Sequence, residues 1–253
     1  MLNIVIPVAD IVVQAQDLLE GLLYSIEQQQ ITDIANVYVC FDQCREEFVE
    51  NFIRRYTFIK AVVNTGNRLN FTGNVNLALR PIRAKGESAL IVNQDCVLPS
   101  RDLISTFTKI TGGIVSAAQV TLCKEPPIDY TDLQLLHASQ PKQVDLTEQL
   151  KVTGFCLYIP SQILQDVGVL DEYFKAGFDD DDYCARVRLR GYKVYQSNIN
   201  VHHYVSRCGA YTDLSVPLGK FYFKYSIPYT VEHKDFAQWI ETNHKWQEGM
   251  LIQ

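Results

Sequence analysis

The sequence predicts an α/β fold: a mostly parallel central sheet flanked by helices, with a C-terminal extension. Three observations predict it. Short apolar runs rich in β-branched residues recur along the first hundred positions, as LNIVIPV (2–8), NVYVCF (36–41), FIKAVV (58–63) and SALIVN (88–93). Segments with apolar residues at helical spacing lie between them. The chain has 253 residues, 47% of them hydrophobic, enough for a substantial core, and no apolar run approaches the roughly 18–20 residues a membrane span needs.

The elements follow in order. After strand 2–8, Ala15, Leu18, Leu19, Leu22, Leu23 and Ile26 mark one face of a helix. After strand 36–41, Phe48, Val49, Phe52, Ile53 and Tyr56 do the same. A Gly/Asn-rich loop follows strand 58–63 and leads to a helix around 72–84. Strand 88–93 leads to a helix that Ser100 could cap. GIVSAAQV (113–120) reads as a strand, and residues 121–150, with three prolines and weak periodicity, as an excursion or lid over the site. KVTGFCLYI (151–159), a short helix from Pro160 and Ser161, and YKVYQSNINVHHYV (192–205) restore regular structure. The aromatic-rich last forty residues read as an extension packed on the domain, giving units 1–210 and 211–253. Strands and helices alternating at these lengths imply a sheet covered on both faces, with ligands beyond the carboxyl ends of its strands.

Composition narrows the function. Charged residues make up 21% and the net charge is −6, which argues against a surface built for nucleic acid or anionic lipid. Cys40, Cys44, Cys96, Cys123, Cys156, Cys184 and Cys208 form an odd set without CxxC or metal-type spacing, so reduced thiols in a soluble cytoplasmic protein are expected. The first residues stop being apolar at Pro7 and Asp10 and do not resemble a secretory signal.

Two motifs carry chemistry. In NQDCVLP, Asn93 and Asp95 end an apolar strand two residues apart, so an extended backbone would aim both side chains one way, as suits a hard divalent cation. The plainer alternative is a turn, where Asn and Asp are favoured in any case. The second motif is GFDDDDYCAR (177–186). Such runs are usually solvated loops, and the spacing is wrong for an EF-hand. However, Gly177 and Phe178 lead in, and Tyr183, Val187 and Leu189 continue as an element that packs. Adjacent carboxylates raise one another's pKa unless a cation or helix N-terminus compensates, an arrangement a general base or metal site can use. Downstream, His202 and His203 point to opposite faces of a strand, so at most one should reach the site; Ile199 and Val201 share the face of His203.

The order of these motifs resembles the family 2 glycosyltransferases, of the inverting GT-A type, over residues 2–207. Pro7-Val-Ala-Asp10 is similar to the family's opening loop and Phe41-Asp42 to the acidic end of its second strand. Asn67-Arg-Leu-Asn-Phe-Thr-Gly-Asn-Val-Asn76 looks like its NxGFxxAxN segment, with Asn70 where the family has glycine; Asn tolerates a left-handed backbone better than most residues. Asn93-Gln94-Asp95 stands at the DxD-type metal motif, with Asn replacing the first Asp. Val152-Thr-Gly154 and VGVLDEYF match further segments. GFDDDDYCARVRLRGYKV is similar to the family's G-[FY]-[ED]-D-x-D-x-x-x-R-x-x-x-G-Y pattern, the most specific match.

The resemblance implies a Rossmann-like nucleotide-sugar-binding half (1–98) and an acceptor or catalytic half (99–210). It implies a metal-dependent inverting transfer from a nucleoside diphosphate sugar, UDP-sugar favoured, to an acceptor hydroxyl, with Mn2+ or Mg2+. Asp180 is implied as catalytic base, paired with Asp179. Asp182 and Arg186 are implied as supporting, and Asp181 reads as a variable, exposed position before a helix beginning at Asp182. Pro7, Val8, Asp10, Asp42, Asn67 and Arg68 are implied at the donor, with Asn76, Asn93 and Gln94; Asp95 and one of His203 and His202 are implied at the metal. Glycan, lipid-linked saccharide, protein and nucleic acid stay open as acceptors, and a homo-oligomer is compatible with the chain. A non-catalytic nucleotide-sugar or glycan-binding protein on the same scaffold is the alternative, supported by Asn93. A nucleotidyltransferase would need a Gly-rich phosphate loop and a lysine after the first strand, and VADIVVQAQ offers neither.

Overall fold

A computed structural model describes residues 1–9, 14–29, 34–99, 103–121, 143–175, 177–204 and 214–253. Asp10, Ser100 and most of the expected lid fall outside the described residues. The first half is a run of β/α units: β1 (Leu2–Ala9), α1 (Gln14–Glu27), β2 (Ile34–Asp42), α2 (Glu46–Arg55), β3 (Ile59–Asn64), α3 (Asn70–Ala84) and β4 (Ser88–Val92). The second half contains β5 (Cys96–Val97), α4 (Leu103–Phe107), β6 (Gly113–Thr121), β7 (Leu146–Glu148), β8 (Cys156–Ile159), α5 (Ser161–Val167), α6 (Asp179–Leu189) and β9 (Lys193–His203). The helices α7 (Ser215–Lys224) and α8 (Phe236–Asn243) form the extension.

Among the described residues the strands form one sheet in the order β3-β2-β1-β4-β8-β6-β9-β5, with β7 on β9. The expected α/β sheet flanked by helices is present. Parallel pairing runs through β3, β2, β1 and β4, while β8 enters antiparallel between β4 and β6. Strand order reverses at β1, which leaves a crevice at the carboxyl ends of β1 and β4.

Side-chain alternation along β1 builds the two faces. Ile4, Ile6 and Val8 face Leu19, Leu22, Leu23 and Ile26 of α1 and Phe48 and Phe52 of α2. Val5 points the other way, into a core with Val75, Leu79 and Ile82 of α3, Ile163 and Leu164 of α5, and Tyr183 and Val187 of α6. Each such fully buried side chain contributes about 1.5–3 kcal/mol, which fixes the register that brings the strand ends together. Helix α2 carries Glu46 and Glu47 in its first turn and Arg54 and Arg55 in its last, matching the helix dipole.

The extension adds a third core in which Phe221, Tyr225, Phe236 and Ile240 pack on Phe174, Phe178 and Ala185. Its polar anchor is Asp182, whose fully buried carboxylate accepts from Arg186 Nε (2.8 Å), Tyr225 OH (2.8 Å) and Lys224 Nζ. Arg186, equally buried, also donates to the carbonyls of Val167 and Val169 at 2.9 Å. No helix among the described residues is long and apolar enough to cross a membrane.

Candidate active site

Of the sequence-predicted residues, Val8, Asp42 and Asn93 stand at the carboxyl ends of β1, β2 and β4, and Asp95 is reached by a different backbone route than the extended strand. After β4 the chain turns: the Asn93 carbonyl accepts from Cys96 N–H at 3.1 Å, and the Asn93 N–H donates to the Phe155 carbonyl at 2.8 Å. Asn93 and Asp95 thus lie in the turn that was the plainer alternative, not on an extended strand, because the turn begins one residue past β4. Asp95 is placed instead by β5, which pairs Cys96 with His203 of β9, and by its own carbonyl, which accepts from Tyr204 N–H at 2.9 Å.

That register sets His203 Nε2 3.1 Å from Asp95 Oδ1, both residues buried. The His203 ring stacks on Phe155 at 4.9 Å between centroids, and its Nδ1 lies 3.4 Å from Gln119 Oε1. Nδ1–H donation to Gln119 would turn the Nε2 lone pair toward the Asp95 carboxylate, an arrangement a cation between the two would stabilise. His202, on the opposite face, is buried with neither ring nitrogen hydrogen-bonded, and burial lowers its pKa. Of the two histidines, His203 is the one that meets Asp95.

Asp95, Cys96 and His203 offer an O, S and N donor within 4.8 Å of one another. Hard cations prefer the carboxylate oxygen and tolerate imidazole, whereas the Cys96 thiol is a soft donor. Two ligands about 2.1 Å from a metal and at right angles lie about 3 Å apart. The 3.1 Å between His203 Nε2 and Asp95 Oδ1 fits two adjacent positions of one coordination sphere. The Asn93 amide oxygen is buried nearby in sequence without a hydrogen-bond partner. These residues fit a divalent cation held by Asp95 and His203.

The acidic run lies across the 151–155 segment from this pair. Helix α6 starts at Asp179, three positions earlier than expected, so all four aspartates occupy its positive first turn. The start is set by Gly177 (φ 80°) and Phe178 (φ 64°), a left-handed pair. For Phe178 this backbone is unfavourable, and it is held by burial of the ring against Phe221 (5.4 Å) and His233 (5.1 Å) of the extension.

The four carboxylates then diverge. Asp180 Oδ1 accepts from Asp181 N–H at 2.9 Å and Oδ2 from Gly154 N–H at 3.2 Å. Its pKa is pushed up to about 6, first by burial and then by the Asp181 charge. Asp179 is pushed up to about 8, first by burial and then by the Asp180 charge. Burial, more than the mutual repulsion the sequence suggests, is the larger cause for both. Asp181 is not the free, exposed position expected: it pairs with Lys151 Nζ at 2.6 Å. Asp182 does not begin the helix. Burial raises its pKa, but the charges of Arg186 and Lys224 outweigh that and hold it below the ordinary range.

The expected donor contacts divide likewise. Pro7 and Val8 lie buried at the end of β1, and the Val8 carbonyl accepts from Asn74 Nδ2 at 3.3 Å. Asp42 orders the following loop, accepting from Asn64 Nδ2 (2.7 Å) and Leu69 N–H (3.1 Å). Asn67 and Arg68 are exposed on that loop, and Asn70 takes the left-handed turn (φ 62°) that its residue type allows. Asn76 is corrected: it is fully buried, its amide donating to Leu170 O and Glu172 Oε1 and accepting from Leu170 N–H, so it ties α3 to 170–172 rather than facing a ligand. Gln94 is buried within the β4 turn. Sequence reasoning missed Asn74, Lys151, Phe155 and His233. Asn74 stood inside a matched motif, whereas Lys151 and His233 are 82 residues apart and carry no local signal.

Solved structures share this fold, which is of the GT-A glycosyltransferase type. One is mannosyltransferase PcManGT from Pyrobaculum calidifontis in complex with GDP-Man and Mn2+, 19% identical over 82% of this chain and 58% of that one, TM-score 0.58. S. aureus TarS 1-349 in complex with UDP-GlcNAc is 14% identical over 98% of this chain and 68% of that one, TM-score 0.64. GalNAc-T7 with UDP, GalNAc and Mn2+ is 13% identical over 96% and 57%, TM-score 0.58. The chain thus spans less than two thirds of PcManGT and of GalNAc-T7. No family model matches the chain, and no curated protein matches it in sequence.

Proposed function

We propose that the protein is an inverting glycosyltransferase that moves a sugar from a nucleoside diphosphate sugar to an acceptor hydroxyl. The observation that carries this reading is the join made by Gly154 and Phe155. Gly154 N–H holds the Asp180 carboxyl, and the next residue stacks on His203, itself 3.1 Å from Asp95. One short segment thus links a candidate base to a candidate metal pair on a GT-A-type sheet. A uridine donor is favoured because TarS and GalNAc-T7 were both solved with UDP or a UDP-sugar.

Asp180 takes the proton of the acceptor hydroxyl as that oxygen attacks the anomeric carbon, while the bond to the diphosphate breaks and the nucleoside diphosphate leaves. With a pKa of about 6, Asp180 is ionised at neutral pH yet basic enough to accept a proton. Gly154 N–H and Asp181 N–H fix the orientation of the carboxyl. Asp95 and His203 would hold Mn2+ or Mg2+, which supplies charge neutralisation at the diphosphate when bound. Asp42 keeps the 64–69 loop of the donor half (1–98) in place, and the acceptor half (99–210) supplies the base. The buried Cys40, Cys156 and Cys184 keep reduced thiols, which suits the proposed cytoplasmic location.

A screen of nucleotide sugars for Mn2+-dependent hydrolysis and transfer tests the proposal. Turnover of at least one nucleoside diphosphate sugar supports it. Tight binding of a nucleoside diphosphate without turnover of any donor would establish the non-catalytic binding reading, in which the neutral Asn93 amide replaces a second metal carboxylate.

A further inference from the structure

The C-terminal extension comes beside the candidate base through His233, which meets both Lys151 and Asp181. Lys151 Nζ lies 2.6 Å from Asp181 Oδ1 and 3.0 Å from His233 Nε2. Lys151 is three residues before Gly154, whose N–H holds Asp180, and Asp181 N–H holds the other Asp180 oxygen. His233 comes from the extension and is itself fixed by ring contacts to Phe178 and Phe236, both at 5.1 Å. The lysine ammonium is therefore pinned between a carboxylate on the base's own helix and an imidazole from another part of the chain.

We infer that Lys151, held by Asp181 and His233, is a positioning residue that keeps the Asp180 carboxylate ionised and aimed, and that the extension thereby takes part in the reaction. This rests on Asp180 being the base.

The chemistry follows from the donor and acceptor inventory. A charged Lys151 has only protons to give, so His233 Nε2 must accept, which places the His233 proton on Nδ1. His233 Nε2 also lies 3.7 Å from Asp181 Oδ1, so the lysine and the imidazole converge on one carboxylate. Among the described residues, the groups facing Asp180 are Asp179 and Asp181 on its own helix turn, Lys151, and the thiol of Cys184 one helical turn on. Of these Lys151 is the cation, and its charge opposes that of Asp181. Lys151 and His233 keep partly exposed side chains, 37% and 51%, so substitution there should leave the core intact.

The test compares wild type with Lys151→Met, Lys151→Arg and His233→Gln. Two readouts are used: the pH profile of kcat/KM for the best donor, and a 13C NMR titration of the aspartate carboxyls, with Asp180 assigned by Asp180→Asn. Lys151→Met is expected to move both the acid limb and the Asp180 midpoint up by about one pH unit, a tenfold loss of rate below the limb, and Lys151→Arg to restore both. His233→Gln should give a smaller shift in the same direction. An unmoved Asp180 midpoint in Lys151→Met overturns the inference. If the wild type turns over no donor, the proposed activity fails while the carboxyl titration still decides the role of Lys151. A shifted midpoint with an unshifted rate profile separates the two in the other direction: Lys151 tunes Asp180, but Asp180 is not the base, and the inference falls.

Discussion

Asp182→Asn and Asp180→Asn, two residues apart, should change stability in opposite directions. Asp182 is fully buried and accepts from Arg186 at 2.8 Å, Tyr225 at 2.8 Å and Lys224. Removing its charge leaves the Arg186 guanidinium, which has no solvent exposure, without its counter-ion. Breaking a buried pair in this way costs about 3–5 kcal/mol. The folded-state pKa of Asp182 is depressed, so its contribution is present above the unfolded value of 3.8 and is lost as pH falls through the folded value. Asp180 is the reverse case. Its folded pKa is raised from 3.8 to about 6, so the stability it contributes is present below 3.8 and is lost as pH rises through about 6. At pH 7.5 Asp180→Asn should therefore be neutral or stabilising, by on the order of 1–2 kcal/mol after allowance for solvent screening, with the gain fading toward pH 4. Urea unfolding of both variants and wild type at pH 4.5 and 7.5, compared at unchanged m-value, measures this. A loss of under about 1 kcal/mol in Asp182→Asn, the scale of a surface pair, would refute the buried-network reasoning. So would a larger loss in Asp180→Asn than in Asp182→Asn.

Other outcomes follow from the same geometry. Asp95→Ala should abolish the Mn2+ dependence of nucleoside diphosphate binding measured by calorimetry; an unchanged Mn2+ dependence would remove Asp95 from the metal site. Burial pushes the thiols of Cys40 and Cys156 up to about 12 and that of Cys184 higher still. Iodoacetamide at pH 8 followed by peptide mass spectrometry should leave these three unmodified in the folded protein and modify them in urea, and rapid native labelling would contradict the burial.

Much of the fold was legible because periodicity reports burial directly. The runs at 2–8 and 36–41 became β1 and β2, and the apolar faces of α1 and α2 pack as their spacing implied. The two-residue β5 was not legible, since a strand that short has no period, yet it is what brings His203 to Asp95. The site was readable as a set of residue types and misread as local geometry. For Asn93 and Asp95 the residue types suit both an extended strand end and a turn, and the turn, the plainer of the two, is what forms. The helix begins at Asp179 and not at the expected Asp182, since four carboxylates suit a positive helix terminus. A left-handed Phe178 ahead of them depends on aromatic partners from the extension that no local pattern reveals. The burial that raises the pKa of Asp179 and Asp180, and the Lys151–His233 contact, are likewise products of long-range packing.

In the proposed mechanism Asp180 does the chemistry while Asp95 and His203 hold the donor's cation. Asp180→Asn, assayed beside wild type for sugar transfer and for nucleoside diphosphate binding with Mn2+, tests it most directly. Binding should be unchanged and the rate lower by about 10²–10⁴-fold, the usual share of a general base. Near-normal transfer by Asp180→Asn would contradict it.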